Sequence, residues 1–155
     1  MKNIAFCLLG FLLTSACTLA PPFKRSEALK RTAASDATAI IALTHATLGQ
    51  DSQKNEIFWE YIDKILDTLA QQPGYLGHGV RIKLLGGEAW TMTAWEDQKS
   101  VNDFVNTPLH RTAVRSGYPA LADERFAQIT VKRSEVPISW KRADALLRDR
   151  GRKSE

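Results

Sequence analysis

With 155 residues, 44% of them hydrophobic and 25% charged, the chain has the makeup of one globular domain with a buried core, which excludes a fibrous or wholly disordered protein. Its formal net charge of +4 is spread along the sequence and forms no basic stripe interleaved with aromatic residues, so no nucleic-acid partner is expected. The basic end "RDRGRKSE", 148–155, reads as a solvated tail.

The first residues read as a targeting segment. "MKN" is short and basic, and "IAFCLLGFLL", 4–13, is an uncharged apolar run. A membrane-spanning helix needs roughly 20 apolar residues, so this shorter run reads as the core of a signal peptide covering 1–16. "TSAC", 14–17, admits two endings. One is cleavage after the small residues Thr14 and Ala16, giving a periplasmic or secreted protein. The other is a lipobox, with Ser15 and Ala16 before Cys17 and the usual leucine displaced by one place to Leu13. Cysteine usage favours the lipobox. Cys7 lies within the signal, so processing before Cys17 leaves a single cysteine at the new N-terminus, where thioether lipidation needs it and where no intramolecular disulfide can form. The expectation is a lipoprotein of the bacterial cell envelope, attached to the membrane through lipid on Cys17. The Pro-rich, then charged segment 17–36 reads as a tether, part of it a short helix.

The domain proper is expected over 37–136. "ATAIIALTHATL", 37–48, is rich in β-branched and small apolar residues and predicts a strand. In 51–72, Ile57, Phe58, Tyr61, Ile62, Ile65, Leu66 and Leu69 recur at helical spacing, Asp51 or Ser52 can cap the start, and Pro73–Gly74 ends the helix. Val80, Ile82 and Leu84 alternate with Arg81 and Lys83. A second strand carries Trp90, Met92 and Ala94 opposite Thr91, Thr93 and Trp95, and the Gly86–Gly87 pair between them predicts an antiparallel hairpin. Asp97 can cap a helix bearing Val101, Phe104 and Val105. Pro108 ends it and restarts another, with Thr107 as N-cap. "YPALADE" reads as a loop and 125–133 as the last strand; after Pro137 a C-terminal helix and the tail fill 137–155. This order, β-α-β-β-α-β, is the split β-α-β arrangement of an α+β ferredoxin-like fold: a four-stranded antiparallel sheet with helices on one face. Its other face would expose apolar residues in a monomer, so a homodimer is expected.

The "PGYLGHGVR" entry to the second strand, the "MTAWED" exit from the third, and "SVNDFVNTPLHRTA" with its aromatic-then-histidine pattern carry a resemblance. Together they make residues 37–136 similar to the dimeric α/β-barrel superfamily that includes the antibiotic biosynthesis monooxygenases. That resemblance implies a cavity between helices and sheet, bordered by the position of Trp95. It also implies a range of activities: cofactor-independent oxygenases, haem-degrading enzymes, haem peroxidase relatives, isomerases and proteins without known activity. In the haem-degrading branch the axial histidine falls where this chain has Val114, which cannot ligate iron, and His110 falls where that branch has an aromatic. Haem is therefore not expected, and no cofactor is.

The candidate site follows from these pieces. His110, third in a helix starting near Pro108, is expected to be neutral at the positive helix end and able to take a proton from a phenol; the alternative is a histidine that only ties the helix to its strand. Trp95 and Phe104 are expected at the pocket. Tyr75 and His78, the latter between Gly77 and Gly79, are candidates there too, with His78 read as a surface strand residue. His45 and Trp59 carry weaker signals. No metal is expected, since three histidines with no histidine–carboxylate pair at ligand spacing make a poor site, and neither a G-x-S-x-G element nor a glycine-rich phosphate loop is present. Three readings follow: a cofactor-independent monooxygenase acting on a small aromatic or quinol, a non-catalytic module for a small apolar ligand, and a structural envelope lipoprotein.

Overall fold

The computed structural model describes residues 18–34 and 36–153; the expected signal peptide, its cleavage site and Cys17 lie outside the described residues. In chain order the elements are β1 (Thr18–Leu19), β2 (Lys24–Arg25), α1 (Glu27–Thr32), β3 (Thr38–Leu48), α2 (Ser52–Thr68), β4 (Tyr75–Lys83), β5 (Glu88–Trp95), α3 (Gln98–Val105), α4 (Pro108–Gly117), β6 (Leu121–Lys132) and α5 (Trp140–Arg150). From β3 to β6 this is the expected ferredoxin-like α+β order. The strands stand in the order β1-β4-β5-β3-β6, with β2 also on β4, and every pairing is antiparallel.

Local chemistry explains the boundaries. The Asp51 carboxylate accepts from the backbone amides of Gln53 and Lys54 at 3.1 Å each and starts α2. Asp97 caps α3 through Ser100 N at 2.7 Å, and Thr107 caps α4 through His110 N at 3.2 Å, with Pro108 in the first turn where its missing amide costs nothing. The β4–β5 connection turns on Gly86 and Gly87 at φ 112° and 62°, a backbone region closed to most side chains.

One difference from the sequence reading concerns the start of the last strand. β6 begins at Leu121, inside the segment read as a loop, because the alternation seen from residue 126 runs back along the long β3: Ala46 pairs with Glu124 and Thr47 with Asp123.

A larger correction concerns the two faces of the sheet. Helices α2, α3 and α4 cover the inner face, as expected. The outer face, expected to lie open and to drive dimerisation, is covered by the chain's own ends. Leu29 of α1, Val136, Ile138, and Ala143 and Leu147 of α5 form one core with Ile41, Leu43, Leu76 and Met92 of the sheet. Among the described residues this face is therefore largely covered, and it no longer supplies the reason from which a homodimer was expected. The tether reading is corrected with it. Leu29 is fully buried, and β1 and β2 extend the sheet at the β4 edge, so 18–34 is part of the folded domain. A six-residue helix is unstable alone; α1 persists through its Ser26 cap, which accepts from Leu29 N at 3.1 Å, and through the burial of Leu29.

The glycines of β4 belong to the same arrangement. A Cβ at Gly77 would collide with the Phe23 ring and stand 2.6 Å from the Lys24 carbonyl oxygen, so glycine is what lets the N-terminal segment lie against the strand. On the other flank α5 is clamped to the sheet by Arg81. Its guanidinium lies 4.0 Å from the Trp90 ring centroid and 5.0 Å from that of Trp140, and donates to both carboxylate oxygens of Asp144 at 3.0 and 2.5 Å.

Candidate functional site

Side chains alternate across a strand, so register decides what faces the helices. His78 pairs with Thr93, Thr93 with Ala42, and Ala42 with Gln128, making one row across four strands. The next row is Val80, Thr91, Thr44 and Phe126. Alanines and threonines at the centre of these rows are short, and α2 stands above them on Phe58, Ile62 and Ile65. The small floor and bulky roof leave an apolar cavity of about 480 Å³ between helices and sheet. That is within the range of small-molecule sites.

The fold gathers the sequence-predicted site residues into one chain of ring contacts. His78 and Tyr75 have centroids 6.0 Å apart, Tyr75 and Trp95 6.0 Å, Trp95 and Phe104 4.8 Å, and Phe104 and His110 4.8 Å. His78, Trp95, Phe104 and His110 line the cavity; Tyr75 stands behind them, its hydroxyl 2.6 Å from His78 Nδ1. Trp95 is fully buried and its indole donates to Thr93 Oγ1 at 2.9 Å, which fixes the ring as a wall. His45 does not join the group. It stacks on Trp90 at 4.3 Å on the opposite face and bonds Glu88 at 3.0 Å.

His78 corrects the surface reading. It is 8% exposed, because its strand position faces the α2–α4 layer while Gly77 and Gly79 face Phe23. Burial holds its pKa below the ordinary histidine value, and the nearby Lys24 charge adds to that. Burial likewise lowers His110, partly opposed by the neighbouring Val105 backbone. The neutral imidazole expected of His110 thus arises mainly from desolvation. The ring borders the cavity and lies edge-on to Phe104 of α3 at 4.8 Å. Burial pushes the Tyr75 phenol up to about 12, so it stays protonated and is the natural donor to His78 Nδ1.

These shifts set a pH dependence. A histidine whose pKa falls on folding binds fewer protons in the native state, so stability is full above the unfolded value near 6.5 and drains away as pH falls below it. A tyrosine raised on folding acts in the opposite sense, with stability lost as pH rises from 10 towards 12. Urea midpoints measured at pH 7.5, 6.5 and 5.5 are expected to fall through that series. His78→Gln and His110→Gln should each flatten the decline, and an unchanged slope in both would refute the assignment.

Sequence reasoning missed Glu124 and Gln128, which also line the cavity from β6. The signal was there: Glu124, Phe126 and Gln128 share one parity, but Glu124 fell in the stretch read as a loop.

Comparison with known proteins bears on this geometry. Residues 44–116 match the family described as antibiotic biosynthesis monooxygenase. No curated protein matches the chain. Among solved structures, a candidate monooxygenase from Lactobacillus acidophilus is 10% identical with a TM-score of 0.54; the match covers 72% of this chain but only 50% of that one, so this chain corresponds to half of that protein. A candidate antibiotic biosynthesis monooxygenase from Nitrosomonas europaea is 12% identical at a TM-score of 0.51, covering 61% of this chain and 88% of its own. A variant of SnoaB, a cofactor-independent oxygenase from Streptomyces nogalater, is 13% identical at 0.52, covering 64% and 97%. At such identities the structures establish the fold. The matched segment includes β5, α3 and most of α4, which supply Trp95, Phe104 and His110. Residues 44–116 are therefore similar to the antibiotic biosynthesis monooxygenase (ABM) family, and the solved structures share the α+β ferredoxin-like fold seen here.

Proposed function

We propose that this domain is a cofactor-independent monooxygenase acting on a small aromatic molecule such as a quinol, and that it works at the bacterial envelope through a lipid on Cys17. The observation that carries the catalytic reading is that His110 and Trp95 border one apolar cavity of about 480 Å³. In that setting a neutral imidazole takes a proton from the substrate hydroxyl. Exclusion of water keeps the resulting anion electron-rich, and it reacts directly with oxygen. One oxygen atom stays on the substrate carbon and the other leaves as water, with the substrate supplying the electrons. Trp95 and Phe104 form the wall against which the ring lies. Tyr75 holds the tautomer of His78, whose second nitrogen can face the substrate.

A second reading is favoured by the edge-on packing of His110 against Phe104 at 4.8 Å, which gives the ring a structural task. The domain would then hold a small apolar ligand without turning it over. Oxygen uptake with a series of naphthalene and anthracene quinols separates the two. Under the catalytic reading the wild type consumes oxygen and His110→Ala lowers the rate by about 100-fold, the lower range of an acid–base contribution. Saturable binding with no uptake above the quinol-only rate would leave the binding reading in its place. Envelope attachment is tested apart from chemistry, by the mass of the mature protein and its partition into detergent, with Cys17→Ser as the control.

A further inference from the structure

The cavity has a far end that the proposed chemistry does not use. His78 shares its row with Gln128, and Glu124 lies four residues further along the same face of β6. By strand geometry that is about 13 Å along the sheet and, from β4 to β6, about 14 Å across it. Glu124 and His78 thus occupy opposite corners of one floor. Glu124 Oε2 is buried and has no hydrogen-bond partner among the described residues. Among the described residues that line the cavity there is no lysine or arginine, and Glu124 is the one carboxylate. Phe126, two residues away on the same face, and Trp59 and Tyr118 line the cavity as well.

An unpaired carboxylate oxygen in apolar surroundings is costly unless a donor or a cation meets it. Aromatic faces nearby favour a positive charge by their quadrupoles. An anionic ligand would meet only repulsion at this end. We propose that Glu124 is the counter-ion for a protonated amine, so that the cavity selects elongated aromatic ligands carrying a basic nitrogen on the end away from His78. This rests on the reading of the cavity as a small-molecule site and names the ligand class it takes.

Three naphthalene probes of matched size test it by titration calorimetry at pH 7.5 with the full processed protein: cationic 1-naphthylmethylamine, neutral 1-naphthol and anionic 1-naphthylacetate. The amine is expected to bind about tenfold more tightly than the acetate. Glu124→Gln keeps the shape of the side chain and removes its charge; it is expected to weaken the amine about tenfold and to leave 1-naphthol unchanged. If 1-naphthol binds but the amine shows no advantage, or Glu124→Gln leaves the amine's affinity intact, the counter-ion assignment falls and the cavity reading stands. If none of the three binds, the ligand site itself is refuted, and this proposal with it.

Discussion

Leu29→Ala is expected to lower the unfolding free energy by about 3 kcal/mol, the usual cost of emptying a fully buried leucine site. The neighbouring comparison is Leu19→Ala. Leu19 is 52% exposed, so its loss should stay within about 0.5 kcal/mol. Urea unfolding of the two variants beside wild type reads the difference directly. The contrast matters because a tether and a structural element carry opposite expectations for the same substitution. If Leu29→Ala were as mild as Leu19→Ala, residues 18–34 would be a linker resting on the domain. The result described here would instead make α1 part of the core that seals the outer face of the sheet. Residues from α1 and α5 meet in that core, so their losses should not add independently.

Trp95→Ala is the second severe substitution. The indole is fully buried, stacks on Phe104, meets Tyr75 edge-on and bonds Thr93. Removing it should cost about 3–5 kcal/mol and join the space it leaves to the existing cavity. Loss of ligand binding in that variant would be ambiguous, since the fold itself is at risk. Trp95→Phe separates the effects. It retains an aromatic wall and gives up the indole donor to Thr93, so thermal unfolding should show a native-like cooperative transition. Binding of 1-naphthol should then weaken several-fold while circular dichroism stays unchanged. Unaltered affinity in Trp95→Phe would mean that the tryptophan is core packing only, with no part in shaping the pocket.

Much of the frame is legible in the sequence alone. The apolar spacing in α2, the Gly86–Gly87 turn and the Thr107–Pro108 restart are local signals, written in residues that sit next to one another. Their order was enough for the β-α-β-β-α-β topology. The five residues nominated for the site, Tyr75, His78, Trp95, Phe104 and His110, proved to be in ring contact. They come from the ends of β4 and β5 and from the two helices that follow, where a ferredoxin-like fold brings its chain together.

What the sequence could not supply was which surface each face would meet. Alternation in β4 assigns His78 to one side and Gly77 and Gly79 to the other, yet says nothing about which side is covered, and by what. The answer depends on segments far away in sequence: Phe23 filling the space over the glycines, and α2 to α4 over the histidine. The same holds for the outer face. Six residues of α1 are too few to carry a hydrophobic period, so nothing local marks Leu29 as core rather than tether. Local patterning therefore determined the elements and their order, because period and capping act over a few residues. Long-range packing alone decided that the sheet is sealed from within its own chain, that His78 is buried, and that Glu124 Oε2 stands without a hydrogen-bond partner among the described residues at the edge of the cavity.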